Sequence, residues 1–232
     1  MSDISYTILY YALPILGLII TSVAQASISL NYGKYKQVAS SSKKTGREVA
    51  REILDKHNLR NIDVVEVSGN LTDHYDPTKK VVRLSTDIYS GTSIASVSVA
   101  AHECGHAIQD KISYTPMRIR SRLVPIVNFS TKIGYLVIVI GLAAGAFKIA
   151  TIGLILLLSM LLFQLVTLPV EFDASRRGKK ELAELNVLDT SEQKGSAKML
   201  KAAALTYVAS VLSSLLQVLR LVLIVAGRRN RR

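Results

Sequence analysis

The sequence predicts a mostly α-helical integral membrane protein with three or four membrane helices and a small β-sheet. Apolar residues gather into long runs with few charges, and a bilayer about 30 Å thick requires about 20 such residues per helix. β-Branched stretches then precede a helical segment that contains His-Glu-Cys-Gly-His. The apolar runs are Tyr6 to Ala24, Ile133 to Phe147, Ile149 to Val170 and Val208 to Ala226.

The charge and the cysteine content argue against two classes of protein, disulfide-stabilised proteins and nucleic-acid-binding proteins. The single cysteine, Cys104, excludes an intrachain disulfide framework. A net charge of +12 is compatible with nucleic-acid binding, but the basic residues flank the apolar runs. Such residues mark the cytoplasmic boundary of a membrane and favour anionic headgroups. We therefore predict a bilayer with anionic headgroups, and no nucleic acid, as a partner. The flanking residues are Lys34, Lys36, Lys43, Lys44, Arg176, Arg177, Lys179, Lys180 and Arg228 to Arg232.

The first segment, residues 1–30, is predicted to be an N-terminal transmembrane helix. Asp3 precedes its apolar run and lysines follow it, so the positive-inside rule places the N-terminus outside. A cleaved signal peptide is the alternative, and the missing basic region before the apolar run disfavours it. Residues 31–122 then form a cytoplasmic part in a multi-pass protein of the cell membrane.

Within this cytoplasmic part, one helix and two strands are predicted ahead of the histidines. Thr45 or Gly46 can cap a helix from Arg47 to Lys56, which has an apolar stripe. β-Branched residues predict a strand from Ile62 to Val67, and a turn beginning at Asp76 leads into a second strand. The second strand consists of Val81, Val82, Arg83, Leu84 and Ser85.

The histidines have the spacing that a metal site on a helix requires. A helix capped by Thr92 or Ser93 would place His102 and His106, at positions i and i+4, on one face, where both can bind one metal ion. Glu103 would lie beside that ion and accept a proton from water as the water attacks a carbonyl. We predict one Zn²⁺ per chain. In zinc peptidases an edge strand commonly binds extended substrate, so the strand Val81 to Ser85 is a candidate; a purely structural strand is the alternative.

The second half of the chain is predicted to return to the membrane. Residues 123–170 form a transmembrane hairpin whose second arm ends at Pro169. Residues 171–204 carry Glu171, a carboxylate suited to be a third metal ligand, and a soluble helical stretch from Glu184 to Lys201. Residues 205–232 comprise an apolar helix and a basic tail. That helix either spans the membrane or lies on its surface, because it has a polar seam formed by Ser210, Ser213, Ser214, Gln217 and Arg220.

Over nearly its whole length the chain resembles the YugP-type membrane zinc metallopeptidases of bacteria and, more distantly, the HtpX-like membrane proteases, and four segments carry the resemblance. The resemblance implies a zincin-like helix in which His102 and His106 bind zinc, Glu103 is the general base and Glu171 completes the zinc site. The HtpX-like pattern has an aspartate four residues after that glutamate, where this chain has Ser175. The segments are Leu71 to Pro77, Ser98 to Gln109, Leu168 to Arg177 and Ala203 to Ala209.

The expected function is a membrane-anchored zinc endopeptidase that acts on peptides or membrane proteins at the cytoplasmic side. Tyr207, His74 and Arg176 are candidate donors to the oxyanion, each with ordinary packing or headgroup contact as the alternative. A zinc-stabilised, non-proteolytic membrane scaffold or assembly factor is the competing function. Metal transport is disfavoured because the sequence lacks a chain of carboxylates within its apolar runs.

Overall fold

The computed structural model describes residues 3–229 and the side chains of residues 9–225. Within these residues four helices are long and apolar enough to cross a membrane, which confirms a mostly α-helical membrane protein with a small sheet. The side chains of Asp3 and of the basic tail, Arg228 to Arg232, lie outside the described part. The elements are α1 Asp3–Lys36, α2 Gly46–Lys56, β1 Asp63–Val67, β2 His74–Asp76, β3 Val81–Ser85, α3 Thr86–Tyr89, α4 Ile94–Lys111, α5 Thr115–Ala143, α6 Phe147–Glu184 and α7 Thr190–Arg229.

The chain divides into two compact units, and the four long helices α1, α5, α6 and α7 contribute to both. The first, called the membrane unit, comprises Met1–Gln25, Ile119–Leu168 and Thr206–Arg232. The second, called the sheet unit, comprises Ala26–Arg118 and Pro169–Leu205. Each unit therefore draws on segments that are distant in the sequence.

The helices of the membrane unit approach one another closely through small residues. An added Cβ on Gly153 would lie 2.6 Å from the carbonyl oxygen of Gly134, and one on Gly141 would lie 2.4 Å from the nitrogen of Ala150. Gly17 of α1 packs in the same way against Ser213 of α7. Small residues at helix contacts are typical of packing in membranes. Within the described residues α7 packs in this bundle and is long and apolar enough to cross a membrane.

The sheet unit has its core between α2 and α4. The stripe predicted for α2 is fully buried, and its members are Val49, Ala50, Ile53 and Leu54. Thr45 is the N-cap, as predicted: its hydroxyl accepts from the Glu48 N–H while the Glu48 carboxylate accepts from the Thr45 N–H. This reciprocal capping satisfies two backbone donors that the first helical turn leaves without partners.

The predicted edge position of Val81 to Ser85 is wrong, because these residues form the central strand β3. The strand order is β1-β3-β2, with β1 parallel and β2 antiparallel to β3. β2 is only three residues long, and such a short strand carries almost no alternating pattern by which a sequence could reveal it. Asp73, just before β2, accepts hydrogen bonds from the backbone N–H and the hydroxyl of Ser85. The contact between the two chain segments therefore continues to the last residue of β3. The edge on this side of the sheet is therefore β2.

The predicted membrane arm and the predicted third-ligand helix are one continuous helix, because α6 runs through Pro169 to Glu184, and the boundary between the two units falls between Leu168 and Pro169. A proline removes one backbone donor, and membrane helices tolerate this where neighbours satisfy the freed carbonyl. The predicted soluble helix from Glu184 to Lys201 is interrupted at its start, where Asn186 adopts a left-handed φ of 50°. α7 begins at Thr190, and the Asp189 side chain accepts hydrogen bonds from the N–H groups of Ser191 and Glu192.

Candidate metal centre

Two helices of the sheet unit meet at the candidate metal centre because glycines let their backbones touch. The Ser93 hydroxyl caps α4 by accepting from the Ser96 N–H at 3.1 Å. An added Cβ on Gly105 would lie 2.5 Å from the Ala174 carbonyl oxygen, and one on Gly178 would lie 2.9 Å from the carbonyl oxygen of Ala101. The glycine of His-Glu-Cys-Gly-His therefore serves the contact between α4 and the C-terminal part of α6.

This contact brings His102, His106 and Glu171 together. The Nε2 atoms of His102 and His106 lie 3.3 Å and 3.6 Å from Glu171 Oε2. One ligand atom from each residue lies within 4.8 Å of the others. Ligand atoms placed tetrahedrally around zinc at about 2.0–2.1 Å are separated by about 3.3 Å, so the arrangement has the dimensions of a zinc site.

The charges and hydrogen bonds of the three residues also fit a divalent cation. Glu171 Oε2 is buried and has no hydrogen-bond partner among the described residues. Burial alone would lower the pKa of His106, but the Glu171 carboxylate outweighs this effect and raises it. Two imidazoles and one carboxylate form a donor set that zinc accepts, and a fourth position remains for water. These side chains would therefore hold a zinc ion.

Each imidazole is oriented by a polar side chain on its other nitrogen. His102 Nδ1 lies 3.1 Å from the Ser175 hydroxyl, and His106 Nδ1 lies 3.0 Å from Gln109 Oε1. The amide oxygen of Gln109 can only accept, so His106 carries its proton on Nδ1 and directs the Nε2 lone pair towards Glu171. Such outer contacts fix the tautomer and the ring orientation of a metal-binding histidine. Ser175, at the position of the HtpX-like aspartate, thus lies against His102.

Gln109 connects the histidine to a network on α6. Its amide nitrogen donates to the Val170 carbonyl at 2.8 Å and to Asp173 Oδ2 at 3.0 Å. Asp173 in turn forms ion pairs with Arg176 and Arg177. This role of Gln109 was not predicted from the sequence. The spacing of three residues places Gln109 and His106 on one face of the helix, and this spacing is the signal that could have revealed it.

Glu103 is buried beside the histidines, and strand β2 holds it. Its Oε2 accepts a hydrogen bond of 3.0 Å from the backbone N–H of Tyr75. The Tyr75 hydroxyl donates to Asp110 Oδ2 at 2.7 Å. This bond anchors the same strand to α4 about two helical turns after Glu103. The contact of Tyr75 with Glu103 could not be predicted from the sequence, because a hydrogen bond from a backbone N–H of a distant segment leaves no sequence pattern.

The three candidate oxyanion donors occupy different surroundings. His74 is exposed on β2, where Nδ1 bonds the Thr72 carbonyl at 2.8 Å and Nε2 lies 3.3 Å from an Arg83 nitrogen. Arg176 is 74% exposed and paired with Asp173. Tyr207 belongs to the membrane unit. Their role in catalysis stays a prediction.

Cys104 lies within the motif but faces away from the metal ligands. Its sulfur is fully buried and lies 3.5 Å from the Ala50 carbonyl oxygen of α2. Burial raises the pKa of this thiol, which keeps it in the unreactive protonated form. Cys104 is therefore a packing residue of the core.

Comparison with known proteins gives two matches. A family model described as "putative neutral zinc metallopeptidase" matches residues 10–226. A relative from Bacillus subtilis (strain 168), named "putative membrane protease YugP", is 43% identical over 222 residues, which cover 96% of this chain and 99% of the relative. No solved structure matches the chain.

Proposed function

The chain belongs to the "putative neutral zinc metallopeptidase" family, and from this premise we propose that it is a membrane-anchored endopeptidase that hydrolyses peptide bonds. This membership confirms the resemblance found in the sequence. The observation that carries the proposal is the convergence of His102, His106 and Glu171 within 4.8 Å, with Glu103 on the same helix as the histidines. We assign one zinc ion per chain to the three ligands.

The residues have distinct roles in the proposed reaction. A zinc ion bound by the three ligands would polarise the scissile carbonyl and bring the pKa of a water to about 7. Glu103 accepts a proton from the attacking water and returns it to the nitrogen of the departing amine. The Tyr75 N–H holds Glu103 Oε2, so Oε1 is the atom that we assign to proton transfer. Ser175 and Gln109 keep the imidazole rings in orientation.

We place the sheet unit, and hence the zinc site, on the cytoplasmic side. Basic residues near the membrane ends mark the cytoplasmic side, and this unit carries many of them. The opposite connection, between α5 and α6, contributes Lys148. The tail Arg228 to Arg232 opposes this orientation, but fewer basic residues lie there than beside the sheet unit. Those of the sheet unit are Lys34, Lys36, Lys43, Lys44, Lys111, Arg118, Arg176, Arg177, Lys179, Lys180, Lys194, Lys198 and Lys201.

The substitution Glu103→Gln tests the proposed chemistry. It keeps the shape of the side chain and an oxygen that can accept the Tyr75 N–H, but it removes the base. We expect kcat to fall by about 10²–10⁴-fold, the usual contribution of a general base, while the zinc content is unchanged. The measurement is turnover of a fluorogenic peptide library by the detergent-purified full chain, with zinc analysis of the same samples.

Glu66→Gln is the matched control, because Glu66 is an exposed glutamate on β1. It should leave both turnover and zinc unchanged. Wild-type turnover by Glu103→Gln would contradict the mechanism. A zinc-loaded wild-type protein that cleaves neither the peptide library nor membrane proteins would instead indicate the scaffold function.

A further inference from the structure

The membrane unit contains a cavity of about 260 Å³ that residues from all four of its long helices line. Pro14 of α1 and Leu157 of α6 contribute to its apolar walls. Its polar lining comes from Tyr135 of α5 and from one stripe of α7, formed by Ser213, Ser214 and Gln217. The polar seam found in the sequence therefore faces a cavity that the zinc site does not use.

The polar groups of this stripe lack partners. Within the described residues the side chains of Ser213, Ser214 and Gln217 make no hydrogen bond to protein. In the hydrocarbon region of a bilayer, an unsatisfied polar group costs several kcal/mol. A molecule in the cavity that offers hydrogen-bond acceptors would remove this cost.

Next to the cavity lies a positive charge that has no counter-ion among the described side chains. Arg220 lies three residues after Gln217, and its guanidinium stacks 4.5 Å from the centre of the Tyr10 ring. Tyr10 precedes the cavity-lining Pro14 by one turn of α1, and Arg220 precedes the cavity-lining Leu221 on α7, so the pair is adjacent to residues that line the cavity. Arg220 Nε is buried without a hydrogen-bond partner among the described residues. The described side chains of the membrane unit include no aspartate or glutamate.

We propose that this cavity binds a phospholipid with an anionic headgroup. Its phosphate pairs with Arg220, its ester carbonyls accept hydrogen bonds from Gln217 and the two serines, and the first part of one acyl chain enters the apolar remainder. The donors follow α7 in the order of these groups in the lipid, since Gln217 lies about 4.5 Å and Ser213 about 10 Å along the helix axis from Arg220. The site is independent of peptide hydrolysis.

Charge distinguishes this ligand from other occupants. An apolar transmembrane segment of a substrate would leave the Arg220 charge and the α7 donors without partners. Water can bond the serines and Gln217, but it leaves the charge of Arg220 without an anion. A lipid phosphate satisfies both requirements.

Native mass spectrometry of the detergent-purified full chain tests the proposal. The protein is mixed with equal amounts of dioleoyl phosphatidylglycerol and dioleoyl phosphatidylcholine, which share acyl chains and differ in net charge. Wild type should retain phosphatidylglycerol preferentially. Arg220→Gln should reduce this preference about fivefold, the contribution of one cation near anionic lipid, and Arg220→Lys should preserve it. Gln217→Leu should weaken retention of both lipids and leave their ratio unchanged.

Lys132→Gln is the matched control, since Lys132 is an exposed cation of the same unit, and it should keep the preference. Equal losses in Arg220→Gln and Lys132→Gln would overturn the site, as would equal retention of the two lipids by wild type. Asp3 is the acidic residue in the sequence of these segments. If Asp3→Asn raises phosphatidylglycerol retention as much as Arg220→Gln lowers it, Asp3 is the partner of Arg220 and the proposal is wrong.

Discussion

The surroundings of the metal ligands and the membrane unit differ in how their buried polar groups are paired. Around the metal ligands, the outer nitrogens of His102 and His106, the amide of Gln109 and the carboxylate of Asp173 all have hydrogen-bond partners. In the membrane unit, polar atoms are buried without a partner among the described residues. They are Arg120 Nε, Thr131 Oγ1, Gln164 Oε1 and Arg220 Nε.

This difference indicates which kind of ligand, a cation or an anion, each set of unpaired groups would bind. In the network around the metal ligands, Glu171 Oε2 is a buried acceptor that lacks a hydrogen bond among the described residues, and two imidazole nitrogens face it. An isolated acceptor among satisfied neighbours indicates a cation. At the cavity of the membrane unit, the donors of the α7 stripe and the cation Arg220 lack partners among the described residues, and this combination indicates an anion with hydrogen-bond acceptors. An unpaired acceptor thus indicates the metal site, whereas unpaired donors beside a cation indicate the lipid site.

The largest effect is expected from breaking the network around the metal ligands. Gln109→Leu removes the acceptor of the His106 Nδ1 proton and both donors to α6. Loss of such an outer partner typically weakens metal binding 10–100-fold, so we expect zinc affinity to fall by about that factor. Competition with a zinc chelator measures the dissociation constant.

Cys104→Ala provides the control on the same helix. Cys104 is equally buried but contacts α2 rather than α6, so its truncation should leave zinc affinity unchanged. Equal affinities in Gln109→Leu and wild type would show that the network is not required for the orientation of His106.

A smaller effect is expected when single hydroxyl groups are removed from the two units. Ser98 Oγ lies 2.6 Å from the Ile94 carbonyl oxygen and 2.7 Å from Ser196 Oγ, all buried in the sheet unit. Ser98→Ala leaves the Ser196 hydroxyl without this contact and should lower the free energy of unfolding by about 1 kcal/mol. Thermal unfolding in detergent measures the change.

The smallest effect should come from the equivalent change in the membrane unit. Thr131→Val keeps the shape of the side chain and removes a hydroxyl that has no partner among the described residues. Because no protein hydrogen bond is lost, stability should stay within about 0.5 kcal/mol of wild type or increase. A loss as large as that of Ser98→Ala would break the distinction between the units.

The sequence predicts those features that depend on neighbours in the chain. The apolar runs, the Thr45 cap and the four-residue spacing of His102 and His106 are local, and the structure reproduces each of them. Glu171 was identified because its carboxylate follows an apolar run in a recognisable motif. The structure places it against the histidines.

The missed features depend on contacts between distant segments. The central position of β3 depends on β2, a strand of three residues, and no pattern in Val81 to Ser85 could reveal it. The hydrogen bond from Tyr75 to Glu103 comes from a backbone N–H and therefore does not depend on the type of side chain. The continuation of α6 through Pro169 reverses a local preference, because tertiary packing outweighs the loss of one backbone hydrogen bond.

The central claim is that two helices of the sheet unit form one zinc site, and zinc K-edge X-ray absorption of the purified chain tests it most directly. The matched variants are Glu171→Ala and Glu184→Ala, which remove glutamates of the same helix. Wild type and Glu184→Ala should each contain one zinc with two imidazole ligands and a carboxylate. Glu171→Ala should lose the metal or replace the carboxylate by water. A Glu171→Ala protein with the zinc content and spectrum of wild type would contradict the account.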